Sequence, residues 1–335
     1  MHQKKIIDKL KKKKILVLGD FFLDEYLYGT SDRLSPEAPA PVVNYKFSNF
    51  NLGGAGNVIT NLSNLFVNVV PIGFVGKDLI SKKILKIIKS KKNIRLDGLI
   101  TDASFEAIKK TRLMIQNTQI ARLDYEKINY NLSDKHFSKI KSKINKNLKN
   151  ADLVLISDYG KGFLNSKIIK YLITESKKLK IKTLIDPRKK INIYSSYSKA
   201  DYITPNLNEL RNIFPELLDE NNDIFKACKK ISKTYNLKKI LVTRGSKGIT
   251  YFDGKNCKHY KSEAKQVFDV SGAGDTVIST FSVCLMLGLS EVESIKISNA
   301  CAGYVVSLKG TQPIIFDNFY NYIKKNQDQL YIKNL

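Results

Sequence analysis

Arginine is scarce in this chain. Seven of its 57 basic residues are arginine (Arg33, Arg95, Arg112, Arg122, Arg188, Arg211 and Arg244) and 50 are lysine. The guanidinium forks that read bases and grip phosphate bidentately are therefore few. A formal net charge of +26 points at first to nucleic acid or a membrane surface. The lysines, however, are spread over residues 9–14, 82–92 and 139–149, and the last two runs read as solvated faces of amphipathic helices. We therefore expect no nucleic-acid partner, and the excess charge would serve to draw in anionic substrates. Four cysteines (Cys228, Cys257, Cys284, Cys301) lie far apart without paired spacing, which argues against a zinc site or a disulfide framework and fits a reduced cytoplasm. Hydrophobic runs are short too. The first, residues 14–19, meets Asp20 and then Asp24, so neither a signal-peptide core nor a membrane span is expected. No internal repeat or linker divides the 335 residues, so one domain over 1–335 is expected.

What is present is an alternation of short apolar runs with helical patterns, the mark of an α/β protein with a mostly parallel sheet wrapped by helices. Strands are predicted at 15–19, 69–76, 153–157, 182–187, 201–205 and 239–244. Helices are predicted at 55–66, 78–89, 134–148, 164–179, 223–235, 273–287 and 290–307. Two stretches break the rhythm. Residues 24–47 hold three of the eight prolines and alternate aromatic with polar residues, and 104–124 read as two strands joined at 116–118. Together, over about 24–50 and 104–126, they form either a small projecting sheet, a candidate lid, or two ordinary surface hairpins.

Residues 269–275 (Asp-Val-Ser-Gly-Ala-Gly-Asp) put a carboxylate where the apolar helix 273–287 begins. Helix starts attract anions, through unpaired N–H groups and the positive end of the dipole, and Asp275 in the first turn could take a proton from an attacking hydroxyl. The alternative is an acidic cap on a core helix. Gly19-Asp20 and Asp24 follow the first strand, either as sugar-hydroxyl acceptors or as a capped turn. Gly53-Gly54-Ala55-Gly56-Asn57 opens the next helix and is not the dinucleotide fingerprint, which would directly follow the first strand. Asn206 and Glu209, three residues apart, could order the water shell of Mg²⁺ or could cap a helix. Thr243, Gly245 and Gly248 belong to a Thr-x-Gly-x-x-Gly stretch suited to outer nucleotide phosphates or to a hairpin turn.

The order of these elements is the sequence plan of the ribokinase-like, or PfkB, family of sugar kinases. The resemblance runs over essentially the whole chain. The stretches Tyr28-Gly29, Leu34-Ser35-Pro36-Glu37-Ala38-Pro39-Ala40-Pro41-Val42-Val43, Ser157-Asp158-Tyr159-Gly160-Lys161-Gly162, Asp186-Pro187 and Thr204-Pro205-Asn206 resemble most the D-glycero-β-D-manno-heptose-7-phosphate kinases within it. So does the 269–277 run, Asp-Val-Ser-Gly-Ala-Gly-Asp-Thr-Val.

The resemblance implies a three-layer α/β/α core with a projecting β-sheet lid. It also implies ATP-dependent phosphorylation of the anomeric hydroxyl of the heptose 7-phosphate, in ADP-heptose and lipopolysaccharide core biosynthesis. Asp275 would be the base, and Gly272, Ala273 and Gly274 would shape an anion hole for the γ-phosphoryl group, lined by the amides of residues 273–275. Asp20, Asp24, Gly53, Gly54 and Asn57 would bind sugar, while Lys161, Arg112 and Arg188, with Arg33, are the cations available for its phosphate. Asn206, Glu209, Thr243, Gly245 and Gly248 would bind nucleotide, with Mg²⁺ near Asn206 and Glu209 through water and a monovalent cation as a further possibility. A homodimer through the lid is implied as well. Relatives often carry an adenylyltransferase domain with a His-x-Gly-His site; the histidines here are His2, His136 and His259, so no such domain is expected. Alternatives are a kinase of another sugar or sugar phosphate, such as a fructose phosphate, and a non-catalytic basic binding protein. The chain departs from the family at Phe66, where glycine is usual, and at Thr280, where Ala or Gly is usual, while Ser271 keeps the hydroxyl of the common threonine.

Overall fold

The computed structural model describes residues 3–116, 118–126, 132–188, 191–264, 266–308 and 310–327, so His2, and Asn117 within the expected join at 116–118, lie outside it. In chain order, α1 (Gln3–Leu10) leads into β1 (Lys14–Gly19), β2 (Phe21–Thr30), β3 (Asn44–Gly54), α2 (Ala55–Asn64), β4 (Asn68–Ile72), the short β5 (Phe74–Val75), α3 (Leu79–Lys89) and β6 (Ile100–Thr101). Next come β7 (Ile108–Ile115), β8 (Thr118–Tyr125), α4 (Asp134–Leu148), β9 (Leu153–Ser157), α5 (Ser166–Lys178), β10 (Lys182–Asp186) and β11 (Tyr202–Ile203). The last third holds α6 (Leu207–Ile213), α7 (Asn221–Tyr235), β12 (Ile240–Thr243), β13 (Ile249–Phe252), β14 (Cys257–Tyr260), α8 (Ala273–Leu287), α9 (Glu291–Val305) and α10 (Phe316–Gln327).

The main sheet has eight strands in the order β14-β13-β12-β11-β10-β9-β1-β4, parallel except for the β12-β13-β14 edge. Its central strands are buried on both faces, which is why Ile15–Leu18 and Leu153–Ile156 are unbroken apolar runs. The chain leaves β1 toward β4 on one side and toward β9 on the other. Strand order reverses there, and ligands of open α/β sheets bind in the crevice at such a point. Helices α1, α2, α8, α9 and α10 pack together as one layer, and α4 packs with α5 in the other.

The projecting stretches form one mixed four-stranded sheet, β3-β2-β7-β8, in which β2 and β7 run parallel. It begins earlier than the sequence pattern suggested, because β2 starts at Phe21, directly after β1. The single strand expected over 69–76 is two, β4 and β5. Gly73 lies between them, and a Cβ there would sit 2.6 Å from the Gly19 carbonyl. The antiparallel β13-β14 edge and the helices α1 and α10 had no counterpart in the sequence reading. Phe66 takes the left-handed conformation (φ 62°) that glycine adopts freely. Its ring packs edge-on to Phe316 of α10 at 5.3 Å, a contact glycine could not make. Thr280 is buried, and its hydroxyl donates to the Thr276 carbonyl at 2.6 Å, so no polar group is stranded.

Candidate active site

The C-terminal ends of β9 to β12 and the start of α8 surround a cavity of about 620 Å³. Its walls are Asp158, Tyr159, Gly160, Lys161, Asp186, Pro187, Arg188, Thr204, Asn206, Glu209, Thr243, Gly272, Gly274 and Asp275. Eight of these were singled out from sequence. Asp275 is only 7% exposed, and its two oxygens have separate partners. Asn57 Nδ2 donates to Oδ2 at 2.8 Å, and the Tyr159 hydroxyl donates to Oδ1 at 3.0 Å. Burial pushes this carboxyl up to about 6, with the charge of Asp24 adding to the rise; the two hydrogen bonds favour the ionised form and hold the rise back.

The start of α8 explains its glycines. Gly272 caps the helix at φ 81°, and a Cβ on it would fall 2.6 Å from Asn57 Nδ2, the atom that holds Asp275. Gly274 has open space where a Cβ would go. The Ala273 amide donates to the Val270 carbonyl at 3.3 Å. Of the three amides expected from sequence to form an anion hole, those of Gly274 and Asp275 make no backbone hydrogen bond among the described residues and are the two left to meet an anion.

The residues expected to bind sugar lie beside and behind Asp275. Arg112 Nη1 of β7 is 2.7 Å from Asp24 Oδ1 of β2, and its guanidinium lies 5.1 Å from the Tyr26 ring. Gly53 lets β3 pass this pair, since a Cβ would meet Asp24 Oδ2 at 2.2 Å. Gly54, at φ 61°, turns the chain into α2, where Asn57 is placed. Asp20 accepts from the amides of Lys161 and Phe163, each at 3.1 Å, and so pins the loop that carries Tyr159 and Lys161. Burial raises Asp20 to about 6 against those bonds.

Two of the four candidate phosphate cations line the cavity. Lys161 pairs there with Glu126. Arg188 lies 3.5 Å through Nε from Asp158 Oδ2, and that Nε has no hydrogen-bond partner among the described residues. Arg33 is exposed in the loop between β2 and β3 that also carries the Ser-Pro-Glu-Ala-Pro stretch, and it does not reach the cavity.

Asn206 and Glu209 form a capping box at the start of α6. Glu209 N donates to Asn206 Oδ1 at 2.9 Å, and Asn206 N donates to Glu209 Oε2 at 2.8 Å, so the capping alternative holds while both residues still face the cavity. Asp186, not chosen from sequence, faces the same space. Burial, then the charges of Glu209 and Asp275, push its carboxyl well above the usual range. No cluster of three or more His, Cys, Asp or Glu poised to cage a metal occurs among the described residues. The donor set instead fits a hydrated Mg²⁺, whose charge would relieve the repulsion among these carboxylates. Residues 243–248 are a hairpin turn between β12 and β13. Thr243 lines the cavity, and Gly245 and Gly248 hold the turn at φ 56° and 91°.

Sequence reasoning passed over Asp158, Tyr159, Asp186 and Thr204 as site residues. The signal was available, because each stands at or just past the end of a parallel strand, as Asp20 does.

The pfkB family carbohydrate kinase profile matches residues 12–317. The chain belongs to this family. It is 36% identical over 326 residues to the bifunctional protein HldE of Aliarcobacter butzleri, covering 96% of this chain and 67% of the relative. It is 39% identical over 302 residues to the bifunctional protein HldE of Helicobacter pylori, covering 89% and 64%. This pfkB kinase chain thus spans about two thirds of the length of the curated relatives it matches. Among solved structures, phosphofructokinase-2 from Escherichia coli in complex with substrates and products aligns with a TM-score of 0.76 at 16% identity, over 93% of this chain and 99% of that one. Arabidopsis thaliana ribokinase complexed with ribose and ATP gives 0.71 at 20% identity, over 93% and 99%. These two likenesses establish the ribokinase-like fold.

Proposed function

We propose that this pfkB-family carbohydrate kinase transfers the γ-phosphoryl group of ATP to the anomeric hydroxyl of D-glycero-β-D-manno-heptose 7-phosphate, as a cytoplasmic step toward ADP-heptose. The observation that carries the chemistry is Asp275, buried at the start of α8 and facing the cavity with each oxygen held by a named donor. The heptose assignment rests on the 36–39% identity to the HldE proteins and on the motif stretches shared with heptose-7-phosphate kinases.

In this reading the sugar lies over Asp24, Gly53 and Asn57, with its O1 at Asp275. Asp275 takes the hydroxyl proton as the oxygen attacks phosphorus. The amides of Gly274 and Asp275 and the dipole of α8 stabilise charge on the moving phosphoryl group. The protein's part is mainly positioning and electrostatics, as in other phosphoryl transfers. ATP extends past Thr243, Gly245 and Gly248. Asn206, Glu209 and Asp186 would hold Mg²⁺ through water, and the ion would supply charge neutralisation on the phosphates. Lys161 and Arg188 hold the 7-phosphate, because they line the cavity and Arg112 and Arg33 do not. The test is ADP release with heptose 7-phosphate, fructose 6-phosphate, fructose 1-phosphate and ribose at equal concentration. We expect kcat/KM for the heptose to exceed the others at least a hundredfold, and a preference for a fructose phosphate would overturn the assignment.

A further inference from the structure

At the opposite, N-terminal edge of the main sheet, two adjoining cavities of about 370 and 530 Å³ share Lys177 and Lys199. Seven of their sixteen lining residues are lysine, against 50 of 335 in the whole chain, and Asp201 is the one carboxylate among the sixteen. Lys177 lies 3.7 Å from Asp201, Lys178 pairs with Glu175, and Lys239 pairs with Glu291 of α9. Lys170, Lys182, Lys199 and Lys238 have no ion pair among the described residues. A concave surface lined by one sign of charge concentrates the field, so this uncompensated charge acts on whatever enters.

Two further observations distinguish the place from a solvated lysine face. Ser196, 1% exposed, lines the larger cavity, and its hydroxyl has no hydrogen-bond partner among the described residues. A buried hydroxyl without a partner has lost its hydration with nothing in return, a cost that a bound acceptor removes. Lys199 sits at φ 68°, a conformation rare for a residue with a side chain, held where its amide donates to the Asn236 carbonyl at 3.3 Å.

We propose that these cavities form a second anion site, for a small molecule carrying two or more phosphate groups, separate from the catalytic cavity. Lysine ammoniums bind phosphate as point charges, and the Ser196 hydroxyl would donate to a phosphate oxygen.

Calorimetric titration of the protein with inorganic tripolyphosphate tests this. A Lys182→Glu/Lys238→Glu variant should lose one binding event, with affinity falling at least thirtyfold, while KM for ATP is unchanged. Lys82→Glu/Lys86→Glu on α3 makes the same charge change on exposed lysines and should leave that event within about twofold of the wild type. Ser196→Ala, which alters no charge, should weaken it about tenfold and keeps the proposal testable if the charge reversal unfolds the chain. An isotherm unchanged in the 182/238 or Ser196 variants overturns the site, and so does equal weakening by the α3 control.

Discussion

The Asp275 carboxyl is pulled two ways. Burial favours its neutral form, and Asn57 and Tyr159 donate to its charged form, leaving it near 6. A base must be ionised, so kcat/KM should fall as pH drops through about 6 and level off above it. Removing the Tyr159 hydroxyl removes one of the effects that hold the value down. Tyr159→Phe should therefore move the acid limb to higher pH and reduce kcat with little change in KM for ATP, whereas a merely structural role for Tyr159 would leave the limb in place. Asp275→Asn should lower turnover a hundredfold or more. The same substitution should raise stability, by an amount that depends on pH. Between the unfolded value of about 4 and the folded value of about 6, the folded chain keeps a proton the unfolded chain has lost, so stability falls as pH rises through that window. Thermal unfolding should show Asp275→Asn more stable than the wild type at pH 8 and equal to it at pH 4. Near-normal turnover in this variant would remove Asp275 as the base.

At the scale of elements, the start of α8 separates two kinds of glycine. Gly272 is required by its φ of 81° and by Asn57 beside it, so alanine there should both destabilise the protein and disturb Asp275. Gly274 is under neither constraint, since an added Cβ would meet only open space. Gly274→Ala should fold normally and still lose at least tenfold in kcat/KM, because in the proposed mechanism that space is where the phosphoryl group passes. Wild-type activity in Gly274→Ala would place the anion elsewhere. This helix start was legible from sequence because glycines, a carboxylate and an apolar run coincide there. Tyr159 was not, since one tyrosine after a strand carries no periodic signal, and its role depends on α8 lying across the sheet from β9. The parallel strands were legible because burial on both faces forces continuous apolar runs. The lysine-rich α1 and the short β13-β14 edge lack such runs and were missed.

At the scale of the whole molecule, the projecting sheet carries Asp24 and Arg112 on its inner part and ends in an exposed edge. All eight residues of β8 are exposed, among them Ile120, Leu123 and Tyr125, while Tyr45 and Phe47 are exposed on β3. An unpaired edge that exposes apolar side chains favours association, which is the arrangement expected of the homodimer that the family resemblance implies. Sedimentation should give a dimer for the wild type and a monomer for Leu123→Glu/Tyr125→Glu; a monomeric wild type would contradict it. The charge of +26, which alone suggested nucleic acid, falls on a carbohydrate-kinase fold whose cavity sets Lys161 and Arg188 among four carboxylates. The most direct test is ³¹P NMR of the product formed from ATP, Mg²⁺ and heptose 7-phosphate. The expected spectrum keeps the 7-phosphate and gains one new ester coupled to the anomeric proton. ADP formed without that ester, or an ester on another hydroxyl, would contradict phosphoryl transfer to O1 by this site.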